Sequence, residues 1–334
     1  MSDMNVQRKD PHGHEIAEAP GRSRLALDRF LTFGAVVVLF AVFSITAKNF
    51  FTMRNVLSVA LQTSTTTLMG IGVTFTIITA GIDLSIGSVI ALTGTAAVMA
   101  AIAGVPIWAS MLVGLITGVV CGLANGLLIT RLKLPPFIAT LGMMMVARGV
   151  ALTITNANAK PAPESFGALG NDSIFRIGST FPGISYPVLI MIAVAFICHF
   201  VLKKTRIGRY TYAVGSNEEA ARLSGIKVRQ VKIIAYIFSA FLAGLVGIIL
   251  ASRMVTSQPN SAIGYELNAI AAAVIGGTSL MGGVGTVGGT VIGSFIIGIL
   301  TVGLTMAGAN YFMQQIVIGL VVIGSVAFDQ LRNR

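Results

Sequence analysis

Gly208-Arg-Tyr-Thr-Tyr-Ala-Val-Gly-Ser-Asn-Glu-Glu-Ala-Ala-Arg-Leu-Ser-Gly-Ile226 is a polar, charged stretch inside a chain that otherwise reads as lipid-soluble, and that contrast decides the fold class. Ser216 and Glu219 have the S-x-x-E spacing of a capping box, in which the hydroxyl and the carboxylate each satisfy an orphan amide of the first turn. Gly225 stands where a left-handed C-cap belongs. The spacing predicts a helix from Asn217 to Ser224, of about two turns and too short to persist alone in water. Either the surrounding membrane region or a partner protein must hold it. An ordinary amphipathic connector is the plainer alternative.

Around this stretch, apolar residues make up 54% of the 334-residue chain and charged residues 10%, against roughly 25% charged in soluble domains. The fold class expected is therefore an all-α integral membrane protein. The 38 glycines agree, because small residues let membrane helices approach closely. The alternating segments of about ten residues that a barrel requires are missing.

A net charge of +11 invites a nucleic-acid reading, but the basic residues are spaced as topology markers and no basic patch with interleaved aromatics occurs. Arg8, Lys9, Arg22, Arg24 and Arg29 precede the first apolar run, Arg131 and Lys133 share a short loop, and Lys203 to Lys232 crowd the handle region. Those positions are expected inside, with Lys48, Arg54, Lys160, Arg176 and Arg253 outside. A membrane helix needs about 20 apolar residues. Residues 30–47 supply one, and the 76 residues between Arg54 and Arg131 hold no Lys or Arg and fit three. Residues 134–155, 186–202 and 233–251 follow, and three more fit before Phe328. About ten crossings result, with both termini cytoplasmic. In domain terms, residues 1–28 are a polar tail expected to be disordered, and 29–331 form one membrane domain with an outer loop at 156–185 and a cytoplasmic loop at 203–232. The Gly276–Gly289 stretch is a candidate broken or re-entrant element.

Enzyme signatures are lacking. The Gly-rich run has no Lys after its glycines and no flanking strand, and no nucleophile elbow, zinc helix or supported carboxylate pair occurs. His12 and His14 lie in the tail with too few companions for a metal site, and Cys121 and Cys198 fall within spans as packing residues. No cofactor or metal is expected.

The membrane region does hold polar residues that cost energy there. Asp83 lies in Gly81-Ile-Asp-Leu-Ser-Ile-Gly-Ser88, where glycines permit a backbone break and Ser85 and Ser88 can cap freed amides. It reads either as a structural cap or as a solute contact. A straight helix from Asn55 would carry Asp83 about 42 Å along its axis, beyond a core of about 30 Å, so the segment must tilt, break or place Asp83 near the inner surface. Arg148 and Glu266 fall in the outer half, where they could pair, or Arg148 could reach the surface alone. The segment 81–90 also echoes 283–292 at the glycines, the hydroxyl before valine and the final Val-Ile, the weak internal repetition common in transporters.

With these residues in view, the chain resembles the permease subunits of ribose/xylose-type ABC sugar importers. Four ordered stretches carry the resemblance: Gly81 to Ser88, Leu134-Pro-Pro-Phe-Ile-Ala-Thr-Leu-Gly142, Gly208-Arg-Tyr to Gly225-Ile, and Gly276 to Thr286. It covers nearly the whole chain after the tail. The resemblance implies a homodimer in the lipid of the bacterial inner membrane, an ABC ATPase subunit with two nucleotide-binding domains, and a periplasmic sugar-binding protein. It also implies that Gly208, Arg209, Tyr210, Ser216, Asn217, Glu218, Glu219, Arg222 and Gly225 form the ATPase-coupling site. Candidates for the solute path or gate are Asp83, Ser85, Ser88, Phe137, Thr140, Glu266, the Asn268–Ala269 pair, Thr278 and Ser279. An ion-coupled secondary transporter of a small polar solute is the alternative, and Asp83 with Glu266 is its thin supply of carboxylates.

Overall fold

The apolar runs fold as helices in the computed structural model, which describes residues 22–176 and 182–332. The residues 1–21 of the expected tail, with His12 and His14, lie outside the described residues. In chain order the helices are α1 (Arg22–Thr46), α2 (Met53–Ile78), α3 (Ile86–Ile102), α4 (Ile107–Arg131) and α5 (Pro136–Thr155). An excursion of short elements then contributes β1 (Lys160–Pro161), a 3-10 turn (Glu164–Gly167), α6 (Ala168–Asn171), β2 (Ser173–Ile174) and β3 (Ile184–Ser185). The chain continues through α7 (Tyr186–Lys204), α8 (Arg206–Ser216), α9 (Glu218–Leu223), α10 (Val228–Met254), β4 (Thr256–Ser257), α11 (Tyr265–Ile275), α12 (Val287–Met306) and α13 (Tyr311–Arg332).

Six of these, α2, α4, α5, α7, α10 and α12, are long and apolar enough to cross a membrane. Four shorter apolar helical stretches, Phe33–Thr46, Ile86–Ile102, Tyr265–Ile275 and Tyr311–Gly324, stand beside them. The short strands pair antiparallel, β1 with β4 and β2 with β3, and pin the excursion to the end of α10. Ser252 secures that attachment, accepting from Gly170 N at 2.8 Å and donating to the Phe166 carbonyl at 2.6 Å.

Two helices make the centre. α2 is buried on every side from Thr63 to Ile78, and α10 packs against α2, α3 and α4. A threonine-rich helix can sit there because hydroxyls return to their own backbone: Thr74 donates to the Gly70 carbonyl at 2.7 Å and Thr76 to Val73 at 2.8 Å. Thr74 also bonds Thr290 of α12 at 2.7 Å, a polar tie between helices in a setting where hydrophobic attraction to lipid-like surroundings is weak. Cys121 and Cys198 are free and buried in apolar clusters. The periphery is apolar and exposed, as with Met145, Val146, Phe196, Ile197 and Phe200 on α5 and α7, which is the surface a bilayer covers.

A buried turn pair beneath a charged handle

The chain between α2 and α3 reverses without a continuous helix. α2 stops at Ile78; Ala80 takes φ +57, and the amides of Ala80 and Gly81 fold back to the carbonyls of Ile77 and Thr76. The next residues are buried rather than solvated, so their polar groups need partners from other helices. Asp83 is fully buried. Its Oδ1 accepts from Ser85 N at 3.0 Å and Ser85 Oγ at 2.6 Å, and its Oδ2 accepts from Ser239 Oγ of α10 at 2.9 Å. Asn125 of α4 donates to Ser85 Oγ at 3.0 Å, and Thr140 of α5 donates to the Ile82 carbonyl at 3.2 Å. One carboxylate thus knits the turn to α10, and through Ser85 to α4. No basic side chain forms an ion pair with it among the described residues.

Depth follows from these partners. Asn125 lies about 9 Å from the Arg131 end of α4 and Ser239 about 16 Å from the Val228 end of α10, at 1.5 Å per residue. The turn is therefore sunk below the helix ends on that side. Of the three expected ways to accommodate Asp83, the structure takes the break.

The second turn joins α11 to α12. Residues 276–286 run without helix, with Gly277, Gly282 and Gly283 at positive φ. The two turns touch, since Gly283 N donates to the Ile78 carbonyl at 2.9 Å. The segments that echo each other in sequence therefore open onto adjacent turns and lead into α3 and α12.

The handle covers both. It is two helices rather than the single one expected, and its cap lies one residue further on: Asn217 Oδ1 accepts from Ala220 N at 2.9 Å, while Ser216 is the last residue of α8. An extended Asn217, at φ −160, breaks the helix and begins the next. The predicted C-cap does form. Gly225 at φ +81 and Ile226 return their amides to Arg222 and Ala221, a Schellman closure. Gly208, Arg209 and Tyr210 belong to α8, whose first turn is capped by Thr205. Buried Val214, Ala221 and Val231 hold α8, α9 and α10 together. Glu218 pairs with Lys232 of α10 at 2.5 Å, and Glu219 with Arg222 at 2.5 Å within α9.

The end of α8 bears on the turns. A Cβ on Gly215 would stand 1.6 Å from the Ile78 carbonyl oxygen and 2.6 Å from Gly283 N, so only glycine lets these three backbones meet. Tyr212 donates to the Gly285 carbonyl at 2.6 Å. Handle, first turn and second turn are one continuous backbone contact.

The remaining candidates scatter. Ser88 and Thr278 are buried, Ser279 accepts weakly from Met281 N at 3.3 Å, and Phe137 is half exposed on α5. Position 269 is alanine, buried in the core, and the amide beside it is the partly buried Asn268. Glu266 opens α11 against Gly87 of α3. Its carboxylate is near enough to Arg148 to interact electrostatically but forms no direct ion pair with it; the guanidinium donates to the carbonyls of Pro259 and Ser261 at 2.6 and 2.7 Å. Asn125, Ser239, Tyr212 and Gly215 were not singled out by sequence. Asn125 carried a signal, an amide within an apolar span. Ser239 is indistinguishable from other small residues in a membrane helix.

The cap gives a first test. Asn217→Ala removes a bond worth about 1 kcal/mol from a six-residue helix. Amide exchange of residues 218–223 should quicken severalfold while α10 keeps its protection; unchanged exchange would show that α9 is held by Val214 and Val231 alone.

Comparison with known proteins agrees with this architecture. The ribose import permease protein of Escherichia coli (strain K12) is 43% identical over 304 residues, 90% of this chain and 92% of the relative. The D-allose transport system permease protein of the same organism is 36% identical over 317 residues, covering 94% and 95%. The L-arabinose ABC transporter permease protein of Azospirillum brasilense is 34% identical over 335 residues, covering 99% and 96%. The family model described as branched-chain amino acid transport system / permease component matches residues 55–326. With that match spanning most of a multi-pass helical chain, the protein belongs to this family of transport permease components.

Proposed function

We propose that the chain is the membrane-spanning permease subunit of an ATP-driven importer that moves a monosaccharide from a binding protein outside the bacterial inner membrane into the cytoplasm. The observation that carries the reading is the seating of α8–α9, a charged helical pair outside the apolar spans, directly on two broken turns inside the bundle. A partner that pushed on α9 would move backbone deep in the protein without an intervening flexible element. The identity to ribose, allose and arabinose permeases over nine-tenths of the chain supports the substrate class. ATP would be hydrolysed by a separate subunit on the handle side. The ten apolar helical stretches support about ten crossings with both ends on that side, and the exposed apolar periphery would meet lipid and a second copy. Asp83 in this reading holds the hinge of the path rather than contacting sugar.

The docking face is chemically distinct. Leu223, at the end of α9, is 80% exposed among charged neighbours, and Met281, on the second turn beside the α8 contact, is 86% exposed. Large apolar side chains in water-facing polar surroundings are what a partner desolvates. Leu223→Asp should cut ATPase binding by roughly thirtyfold, about 2 kcal/mol, while membrane insertion stays normal. Stoichiometric co-purification of the ATPase with the Leu223→Asp protein would reject α9 as the docking element.

A further inference from the structure

A cavity of about 410 Å³ opens at the end of the bundle opposite the handle. Its walls come from α2, α6, β3, α10 and α11. α10 starts beside α9 and runs 27 residues, about 40 Å, before Arg253 and Met254 reach the cavity. The site is thus on the side from which an importer would receive its solute, and none of the expected path residues lines it. The size falls within the roughly 300–1,000 Å³ of small-molecule sites.

The lining is polar where packing would favour apolar residues. Gln62 and Thr65 of α2, Asn171 of α6, Ser185 of β3, Arg253 of α10 and Tyr265 of α11 converge on it. Arg253 and Gln62 are partly buried, yet no described residue forms a hydrogen bond or ion pair with either side chain. Ser185 stands at the N-cap of α7 without using its hydroxyl as a cap. Asn171 commits its amide nitrogen to the carbonyls of Gly167, Ser252 and Arg253, which fixes the side chain and leaves its oxygen as an acceptor. Arg253 and Tyr265 are near enough to interact electrostatically, and the guanidinium and the Gln62 carboxamide keep their hydrogen-bonding groups accessible from the cavity, free to meet a polar solute.

We infer that this cavity is the first sugar-binding station of the permease, receiving a neutral polyol as it leaves the binding protein. The inference rests on the importer reading given above. Each sugar hydroxyl both donates and accepts; Arg253 supplies donors only, while Gln62, Ser185 and Tyr265 supply both. The Tyr265 ring and the Leu250 side chain offer an apolar surface for the C–H face of the sugar. The lining contains no acidic side chain, and Arg253 repels cations, so cationic solutes are excluded.

The test uses the whole complex in proteoliposomes, with its ATPase and binding protein, and labelled D-ribose, L-arabinose and D-allose as probes. Arg253→Met and Gln62→Leu keep side-chain bulk and remove hydrogen bonding. Arg253→Met is expected to lower uptake of the transported sugar at least tenfold with the ATPase still co-purifying. Gln62→Leu is expected to change the ratio of rates among the three sugars at least threefold, which a merely structural residue would not do. Wild-type uptake and wild-type ratios in both variants would overturn the cavity assignment while leaving the importer reading intact. Failure of the unsubstituted complex to accumulate any sugar with ATP would overturn both.

Discussion

Gly215→Val will abolish uptake while leaving the ATPase bound. The added Cβ alone falls 1.6 Å from the Ile78 carbonyl oxygen and 2.8 Å from its carbon, and both are backbone in a buried turn that has no slack. Overpacking of this severity costs about 3 kcal/mol or more, which α8 can relieve only by lifting off the two turns. α9 keeps its Asn217 cap and its exposed Leu223, so docking survives. The expected result is a complex of normal composition whose uptake falls below a tenth of wild type, with ATP hydrolysis no longer stimulated by the loaded binding protein. Normal uptake would mean that α8 does not transmit through this contact.

Asp83→Ala is the second large effect, and it acts on folding before transport. Three donors lose their acceptor at once: Ser85 N, Ser85 Oγ and Ser239 Oγ. Leaving buried donors unpaired should destabilise the detergent-solubilised protein by about 2–4 kcal/mol. Asp83→Asn retains one acceptor oxygen and places an NH₂ near Ser239, whose hydroxyl can accept, so its loss should be the smaller. Thermal unfolding should rank wild type above Asp83→Asn above Asp83→Ala. An Asp83→Ala protein as stable as wild type, with normal uptake, would show that the turn is held by Thr140 and the surrounding packing instead.

The class of fold was legible because lipid imposes a long apolar run on each crossing element, and those runs are visible residue by residue. α3 falls wholly inside the Lys/Arg-free interval, with α2 starting at Met53 and α4 ending at Arg131 on its two edges, and the helix end at Gly225 forms because a left-handed C-cap is a local device. What sequence left open is non-local. Asp83 looks like a solute contact or a cap until Ser239, 156 residues away, is seen to occupy it. Gly215 is one glycine among 38, and only the approach of Ile78 and Gly283 distinguishes it. The Ser216 cap failed for a local reason, since Ser216 completes α8 and Asn217, in extended conformation, was a competing cap of equal propensity. Arg148 and Glu266 stand near each other as expected, but the guanidinium spends its hydrogen bonds on two loop carbonyls rather than on a direct ion pair.

The most direct measurement is accumulation of labelled D-ribose, L-arabinose and D-allose by proteoliposomes containing this chain, with the ATPase subunit, the binding protein and internal ATP each omitted in turn. The account predicts concentrative uptake only when all are present, and none by the chain alone under a proton or sodium gradient. Accumulation by the isolated chain driven by such a gradient would contradict it.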